Sequence, residues 1–407
     1  MAKSSSLRSF KHRNFRILYP ANALSNIGTW TQRVAQDWLV LELTGNDAAS
    51  LGLVTAIQFL PAMLLSLYGG LLADRFSKRK LLLLTNLGAG LVSVILGLLV
   101  VMKSVELWHV YALALLLGIF TAIDSPIRVS FTSELVGKDD LANAVSLNSA
   151  NFNAGRLIGP ALSGYLIFWY GTGPSFLINT ATYVVMVVTL LVIRDKDLHI
   201  TIKPQRANRL REAFTYVKSK PDLILVMTTV FFTTTFGLNF QIFIALMATQ
   251  EFGMGPDQFG ALGSILAVGS FTGAVVAARL EKHRTIPNIL KGAGLFGLLL
   301  MGSAYLPSPL LYAIMLPIMG ATVLMTLISA NTYVQSTTDS ALRGRVMGIY
   351  LMIFMGGTPI GSPLIGFLAD ALGVRFTIIV CGLIVLLAAV IIASKYKTLN
   401  NTKMQNS

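Results

Sequence analysis

The sequence predicts an all-α polytopic membrane protein, with twelve transmembrane helices arranged as two six-helix bundles, and three observations carry that prediction. Twelve apolar stretches recur along the 407 residues, each near the roughly 20 needed to cross a bilayer core. Positive charge alternates between the gaps. With Arg33 and Arg156 set apart as lying deep inside spans and every other cation assigned to its nearest span end, 28 of the 32 Lys and Arg fall in the N-terminal tail, every second gap and the C-terminal tail. Only Lys103 and Arg375 lie on the opposite face, with Arg33 and Arg156 set inside spans. Such a bias marks the cytoplasmic side and places both chain ends there. Third, the two halves of the chain echo each other.

The elements follow in order. Span 1, residues 16–41, follows a basic tail as a signal peptide would. It holds Arg33, Asp37 and Trp38, and no small-residue cleavage site follows a short apolar core, so it is expected to remain as a membrane helix. Span 2 (49–73) runs into a turn rich in glycine and charge, and span 3 (81–102) leaves it. Span 4 (107–131) carries Asp124 and Arg128, span 5 (142–168) carries Arg156 among glycines, and span 6 is 174–193. The longest hydrophilic stretch, Arg194 to Lys220, holds eight basic residues with Pro204 and reads as a cytoplasmic linker. Its part from Asn208 to Tyr216 suits a short surface helix against anionic headgroups. Spans 7 to 12 are 222–249, 257–278, 286–306, 309–333, 345–370 and 375–394. The expected organisation is an N-terminal bundle over 1–194, a linker over 195–220 and a C-terminal bundle over 221–407.

The echo between halves is specific. Gly118 and Gly320 occupy matching places in spans 4 and 10, and the run Gly159 to Leu166 lines up with Gly361 to Leu368, both at an offset of 202. At an offset of 204, Gly69 to Lys80 matches Gly273 to Arg284, with Asp74 replaced by Ala278. A duplicated six-helix unit around a central path is a transporter architecture.

Composition excludes several classes. With 12% charged and 54% hydrophobic residues, against about a quarter charged in soluble proteins, most of the surface is expected to face lipid. The net charge of +14 is dispersed over short cytoplasmic segments without a basic and aromatic platform, so nucleic acid is not expected as a partner. The lone cysteine, Cys381, and four scattered histidines, His12, His109, His199 and His283, imply neither disulfide, metal site nor redox cofactor. No nucleophile with its base stands at usable spacing, and no phosphate-binding loop is present, so neither an enzyme nor an ATP-driven pump is expected.

Two motifs carry a family resemblance. The segment with Gly70, Asp74, Arg75, Lys78 and Arg79, between spans 2 and 3, resembles the loop signature of the major facilitator superfamily, with Ser77 where that family has glycine. In span 5, Gly155, Gly159, Pro160 and Gly164 resemble the glycine and proline signature of its antiporter members. Together with Phe15-Arg16, Thr29-Trp30, Gly118 to Arg128 and Asn143 to Ser149, they resemble the bacterial branch that includes the enterobactin exporter and multidrug efflux proteins, most strongly from His12 to Arg194. The resemblance implies the major facilitator fold, with helices 1, 4, 7 and 10 around a cavity. It also implies a charge cluster at Asp74 that holds the halves together on the cytoplasmic side until inward opening. The alternatives are a plain positive-inside turn for the first motif and close helix packing for the second.

Ionisable groups in the membrane cost at least a few kcal/mol each unless paired or hydrated, which makes them the leading functional candidates. Asp124 and Arg128, four apart on one helix face, are expected to pair. With Arg156 at a similar depth they form the expected proton-coupling set, Asp124 carrying the proton; a permanent structural pair is the alternative. Arg33 and Asp37 form a second four-apart pair, read either as an external gate or as a pair reaching to the interface. In the C-terminal half, Thr234, Asn239, Gln241, Asn331 and Tyr333 are expected to line a cavity as neutral partners.

The expected function is secondary active transport in a bacterial inner membrane, as proton-coupled efflux of a hydrophobic or amphipathic organic molecule such as a drug or siderophore. The expected partners are that small molecule, a coupling proton and the bilayer, with the chain acting as a monomer and without a cofactor. A lipid transporter or nutrient importer of the same fold is the alternative. A membrane sensor or channel is the alternative from another class.

Overall fold

The computed structural model describes the backbone of residues 7–199, 210–279, 284–339 and 342–405. Side-chain surroundings are described for these except at 66, 67, 69–71, 74, 210, 400 and 402–405. Every regular element among the described residues is helical: α1 (Arg13–Thr44), α2 (Ala48–Arg75), α3 (Lys78–Val101), α4 (Leu107–Tyr170), α5 (Gly173–Val192), α6 (Leu210–Ser219), α7 (Pro221–Phe232), α8 (Phe240–Leu246), α9 (Pro256–Arg279), α10 (Ile286–Ala304), α11 (Pro309–Thr337), α12 (Arg343–Leu372) and α13 (Val374–Gln405). Two π-helical turns, Thr233–Gly237 and Met247–Glu251, follow α7 and α8.

Ten helices among the described residues are long and apolar enough to cross a membrane, with Pro221–Glu251 counted as one. The 32-residue α1 stands outside that set because it is polar: Asn14, Asn22, Gln32, Gln36 and Asp37 are buried on its inner side. The helix ends follow backbone chemistry. Proline enters at the first turns of α5, α7, α10 and α11, while α1 and α12 stop at Gly45 and Gly373, both at positive φ. Because hydropathy registers only the apolar middle of a helix, α1 overruns its predicted span by three residues at each end.

Spans 4 and 5 are the two limbs of α4, which meet at a single break at Gly137 (φ 70°, ψ −176°), and the helix runs on through the polar residues Glu134 to Asp140 that the prediction leaves between the spans. Charged side chains do not interrupt helical hydrogen bonding, whereas this backbone conformation is essentially restricted to glycine. Past the break the chain turns back, and Asn148 Nδ2 donates to Thr132 Oγ1 at 3.1 Å.

The chain clusters into two compact units. Unit 1 comprises Met1–Gly45, Ile57–Gln205 and Gly255–Ser264, and unit 2 comprises Asn46–Ala56, Arg206–Met254 and Ile265–Ser407. The core of unit 1 gathers Phe15, Leu18, Leu82, Ile127, Phe131, Leu135, Met186 and Leu190. On α3, Leu82, Ala89 and Leu96 are buried while Leu84, Leu87, Leu91 and Leu98 are exposed, so apolar residues cover both faces. A helix apolar all round has no face for water and suits lipid on its outer side.

Each unit repeats the same close contacts. In unit 1, Gly118 of α4 meets the backbone of α2 at Gln58, and Gly159 meets α1 at Ile27 and Trp30. In unit 2, Gly320 of α11 meets α9 at Leu266, and Gly361 of α12 meets Thr235 and Asn239 beside the π turn. The third pair follows suit: Gly164 packs on Pro256 and Asp257, and Gly366 on Ala48 and Ala49. None of these positions has room for a Cβ unless its neighbours move.

Unit 2 also fixes the start of α2. Asp47 Oδ2 accepts from Ser50 N at 2.7 Å, and Asp370 accepts from Ala48 N and Ala49 N at 2.9 and 2.7 Å. The first-turn amides of α2 that lack helical partners are thus satisfied. The expected linker helix is present as α6, which runs on past Tyr216 to Ser219, and residues 200–209 of the expected linker, with the start of that predicted helix, lie outside the described residues. Phe214 and Val217 of α6 line an apolar pocket with Met227 of α7 and Ile349 of α12, and Glu212 pairs with Arg345 at 3.0 Å.

Candidate functional site

The polar interior of unit 1 forms two neighbouring clusters. In the first, Asp124 and Arg128 of α4 form an ion pair, Nε to Oδ2 at 2.7 Å. The other oxygen, Oδ1, accepts from Thr85 Oγ1 and Asn86 Nδ2 of α3, both at 2.9 Å. Arg128 also donates to Asn22 Oδ1 of α1 at 2.5 Å and to Asn86 Oδ1 at 3.3 Å. One carboxylate and one guanidinium therefore tie α1, α3 and α4 together, and both retain some exposure, 15% and 26% of the side chain. The four-residue spacing makes the pair legible. Asn22, Thr85 and Asn86 are not legible from local sequence, because they come from other helices.

Tyr183 of α5 links this cluster to the next. It interacts electrostatically with Asp124 and Arg128 and hydrogen-bonds to Thr29 and Asn179. Asn179 Nδ2 donates to Gln32 Oε1 at 2.6 Å, and Ser93 Oγ donates to the same oxygen at 2.7 Å. Gln36 Nε2 reaches Gln58 Oε1 at 3.4 Å. A buried line of amides and hydroxyls thus runs along α1. Its only signal in the sequence is the frequency of Asn and Gln in a span.

The second cluster departs from expectation. Arg156 is absent from the hydrogen bonds of Asp124 and Arg128 and lies over the indole of Trp30 at 5.5 Å. Gly155 and Gly159 bring this limb of α4 onto α1 at Asn26 to Trp30, which accounts for that contact. Arg33 lies over the same indole at 4.7 Å and over Phe59 at 4.8 Å. Asp37 is buried and interacts with Arg33 electrostatically, but the two form no ion pair. Trp38 is held by Glu42, through Nε1 at 2.7 Å, and stacks on Phe259.

Of the expected gate motif, Gly70 and Asp74 lie outside the described side-chain surroundings and Arg75 is exposed. Lys78 and Arg79 are engaged within unit 1. Lys78 pairs with Glu134 of α4 at 2.6 Å. Arg79 donates to the carbonyls of Leu190 and Leu191, at 2.7 and 2.9 Å, and pairs with Asp195 at 2.8 Å, closing the C-terminal end of α5. Pro160 sits beside Gly263 of α9, within unit 1.

In unit 2, Thr234 and Asn239 are buried against Gly357 and Gly361 of α12, and Asn239 Nδ2 donates to Thr235 O at 2.8 Å. These two serve a helix seam. Asn331 hydrogen-bonds to Tyr350, whereas Gln241 and Tyr333 are half-buried.

One charged cluster was not anticipated. Asp140, just past the break in α4, receives Arg8 at 2.8 Å, Lys11 at 2.6 Å and His12 at 2.8 Å. Ser9 N and Oγ meanwhile donate to Asn143 Oδ1 at 2.9 and 2.8 Å. Bonds from Lys11, then His12 and Arg8, hold the Asp140 carboxyl well below the usual carboxylate range.

Comparison with known proteins shows the family and the fold. The sequence model of the family described as transmembrane secretion effector matches residues 4–407. The chain is 25% identical to the staphyloferrin A transporter of Staphylococcus aureus over 90% of its length and 92% of that protein. It is 24% identical to the enterobactin exporter EntS of Shigella flexneri over 93% and 92% of the two chains. In fold it resembles a bacterial homolog of the human lysosomal transporter Spinster, with a TM-score of 0.78 at 15% identity, over 97% and 98% of the two chains.

Proposed function

The chain belongs to the transmembrane secretion effector family of major facilitator transporters, and from that membership we propose that it is a proton-coupled exporter of an organic small molecule across the bacterial inner membrane. It crosses the membrane twelve times, counting α1 and the two limbs of α4 each as one crossing, with both termini cytoplasmic. Its functional organisation is an N-terminal bundle (1–194), a linker (195–220) and a C-terminal bundle (221–407), and it acts as a monomer. Efflux is supported by relatives named as exporters, the enterobactin exporter among them, and together with relatives named for multidrug resistance they favour a siderophore or drug as the substrate class.

The observation that carries the coupling is the Asp124–Arg128 pair within its ring of neutral partners. A proton and the Arg128 guanidinium compete for the same carboxylate. When Asp124 takes up a proton, its charge no longer holds Arg128, which keeps Asn22 and Asn86 as acceptors. When the proton leaves, the pair closes again. Since Arg128 joins α1, α3 and α4, exchange of that one proton changes what ties three helices together, which is the bistable element that coupling requires.

The test is accumulation of labelled amphipathic drugs and a catecholate siderophore in inverted membrane vesicles. An inward-acid gradient is expected to drive uptake that collapses with a protonophore. Uptake unaffected by the protonophore refutes proton coupling.

A further inference from the structure

We propose that Arg33, Arg156 and Trp30 form an oxyanion-binding subsite, so that the transported molecule is an organic anion whose carboxylate or comparable acidic group is held between the two guanidiniums. The proposal rests on the transport reading above and names its substrate class.

Four observations within unit 1 carry it. Both arginines address one indole, at 4.7 and 5.5 Å, which puts their guanidinium carbons no more than about 10 Å apart, within the reach of one small organic anion. They are close enough to repel each other, and among the described residues neither has an ion-pair partner. Arg33 Nε is enclosed and has no hydrogen-bond acceptor. The membrane-embedded charges of this unit are three arginines, Arg33, Arg128 and Arg156, against two aspartates, and Asp124 is committed to Arg128.

Two like charges beside an enclosed, unpartnered N–H are costly in a low-dielectric setting. Cation–π contacts offset only part of that cost, on the order of 1–2 kcal/mol each. An arriving oxyanion neutralises the excess charge, offers Nε its missing acceptor and bonds to planar guanidinium forks suited to carboxylate geometry. Trp30 and Phe59 add an apolar or aromatic wall for the body of the same ligand. Asp37 interacts electrostatically with Arg33 without pairing with it, which leaves the guanidinium nitrogens open to a ligand.

The test is equilibrium binding by titration calorimetry on the purified full-length chain in neutral detergent, with no gradient. The probes are citrate, benzene-1,3,5-tricarboxylate, its trimethyl ester, benzyltrimethylammonium and phosphatidylglycerol in mixed micelles. Saturable binding of at least one carboxylate is expected, with no binding of the ester or the cation. Affinity is expected to fall about tenfold or more in Arg33→Gln and in Arg156→Gln, and only a few-fold in Arg156→Lys. The wild-type comparison of acid with ester stands even where a variant fails to fold. Equal binding of acid and ester, preference for the cation, full affinity in folded glutamine variants, absence of carboxylate binding, or binding of the lipid alone each overturns the proposal. Because no gradient is used, failure here leaves proton coupling standing. Conversely, loss of gradient-driven flux with anion binding intact removes the coupling and keeps the subsite.

Discussion

Arg128 donates from Nε to Asp124 Oδ2 at 2.7 Å, one helical turn away, while its remaining nitrogens reach Asn22 of α1 and Asn86 of α3. The pair is therefore both a bond within α4 and a junction of three helices, and its loss is expected to be felt as stability and as transport.

Removing only the cation leaves the Asp124 carboxylate with Thr85 and Asn86 alone. Arg128→Gln is expected to destabilise the protein by about 1–3 kcal/mol, less than for a fully buried pair because both side chains keep some exposure. The double variant Asp124→Asn, Arg128→Gln is expected to recover part of that loss. Melting curves of the two singles and the double in detergent give the coupling energy, and strict additivity argues against a shared junction.

Gly159 sits where α4 meets Trp30 and Ile27, with no room for a side chain. Gly159→Val is expected to cost about 1–3 kcal/mol through overpacking and to displace Trp30. Gly302→Ala, which meets open space, is the matched control with little expected change. A comparable melting shift in both variants contradicts the close-contact account of the glycine motif.

Asp140 gives a pH signature. Its folded pKa lies below the ordinary value of 3.8, so the N-terminal clasp contributes its full stability above that value and loses it as pH falls from there through the lower folded pKa. The melting difference between wild type and Asp140→Asn should be constant above about pH 5 and shrink below about pH 4. A difference that persists unchanged at the acid end contradicts the clasp.

At the break in α4, Gly137 has a positive φ and an extended ψ, and a Cβ there meets the His199 ring at 3.4 Å. Gly137→Ala is expected to cost about 1–3 kcal/mol in backbone strain. Hydrogen exchange at residues 134–143 reports whether the hinge loosens. Unchanged stability and exchange argue that the chain adopts another turn at no cost.

How much of this was legible in the sequence depends on the separation of the partners. Helices and their ends are local, so the starts predicted at 286 and 309 coincide with Ile286 and Pro309, while α1 and α12 run on a few residues past their predicted spans to Gly45 and Gly373. Asp124 and Arg128 are local too, and spacing alone suffices to pair them. Arg33 and Asp37 show the limit of that argument: the same spacing puts both on one face, but the guanidinium turns to Trp30 and Phe59, which spacing cannot reveal. Depth in the membrane groups Arg156 with Asp124, whereas the approach of Gly155 and Gly159 to α1 brings it to Trp30 beside Arg33. Thr234 and Asn239 look like cavity polar groups until α12 is seen to cover them. The clasp on Asp140 joins residues more than 120 apart in the chain, beyond any local pattern.

The central claim is that Asp124 carries the coupled proton, and Asp124→Asn tests it most directly, in inverted vesicles with and without an imposed proton gradient and in gradient-free exchange of labelled for unlabelled substrate. The account predicts that the variant loses gradient-driven accumulation and its dependence on pH while exchange without a gradient continues. Accumulation at the wild-type level with an unchanged pH profile contradicts it and reduces the pair to a structural junction of α1, α3 and α4.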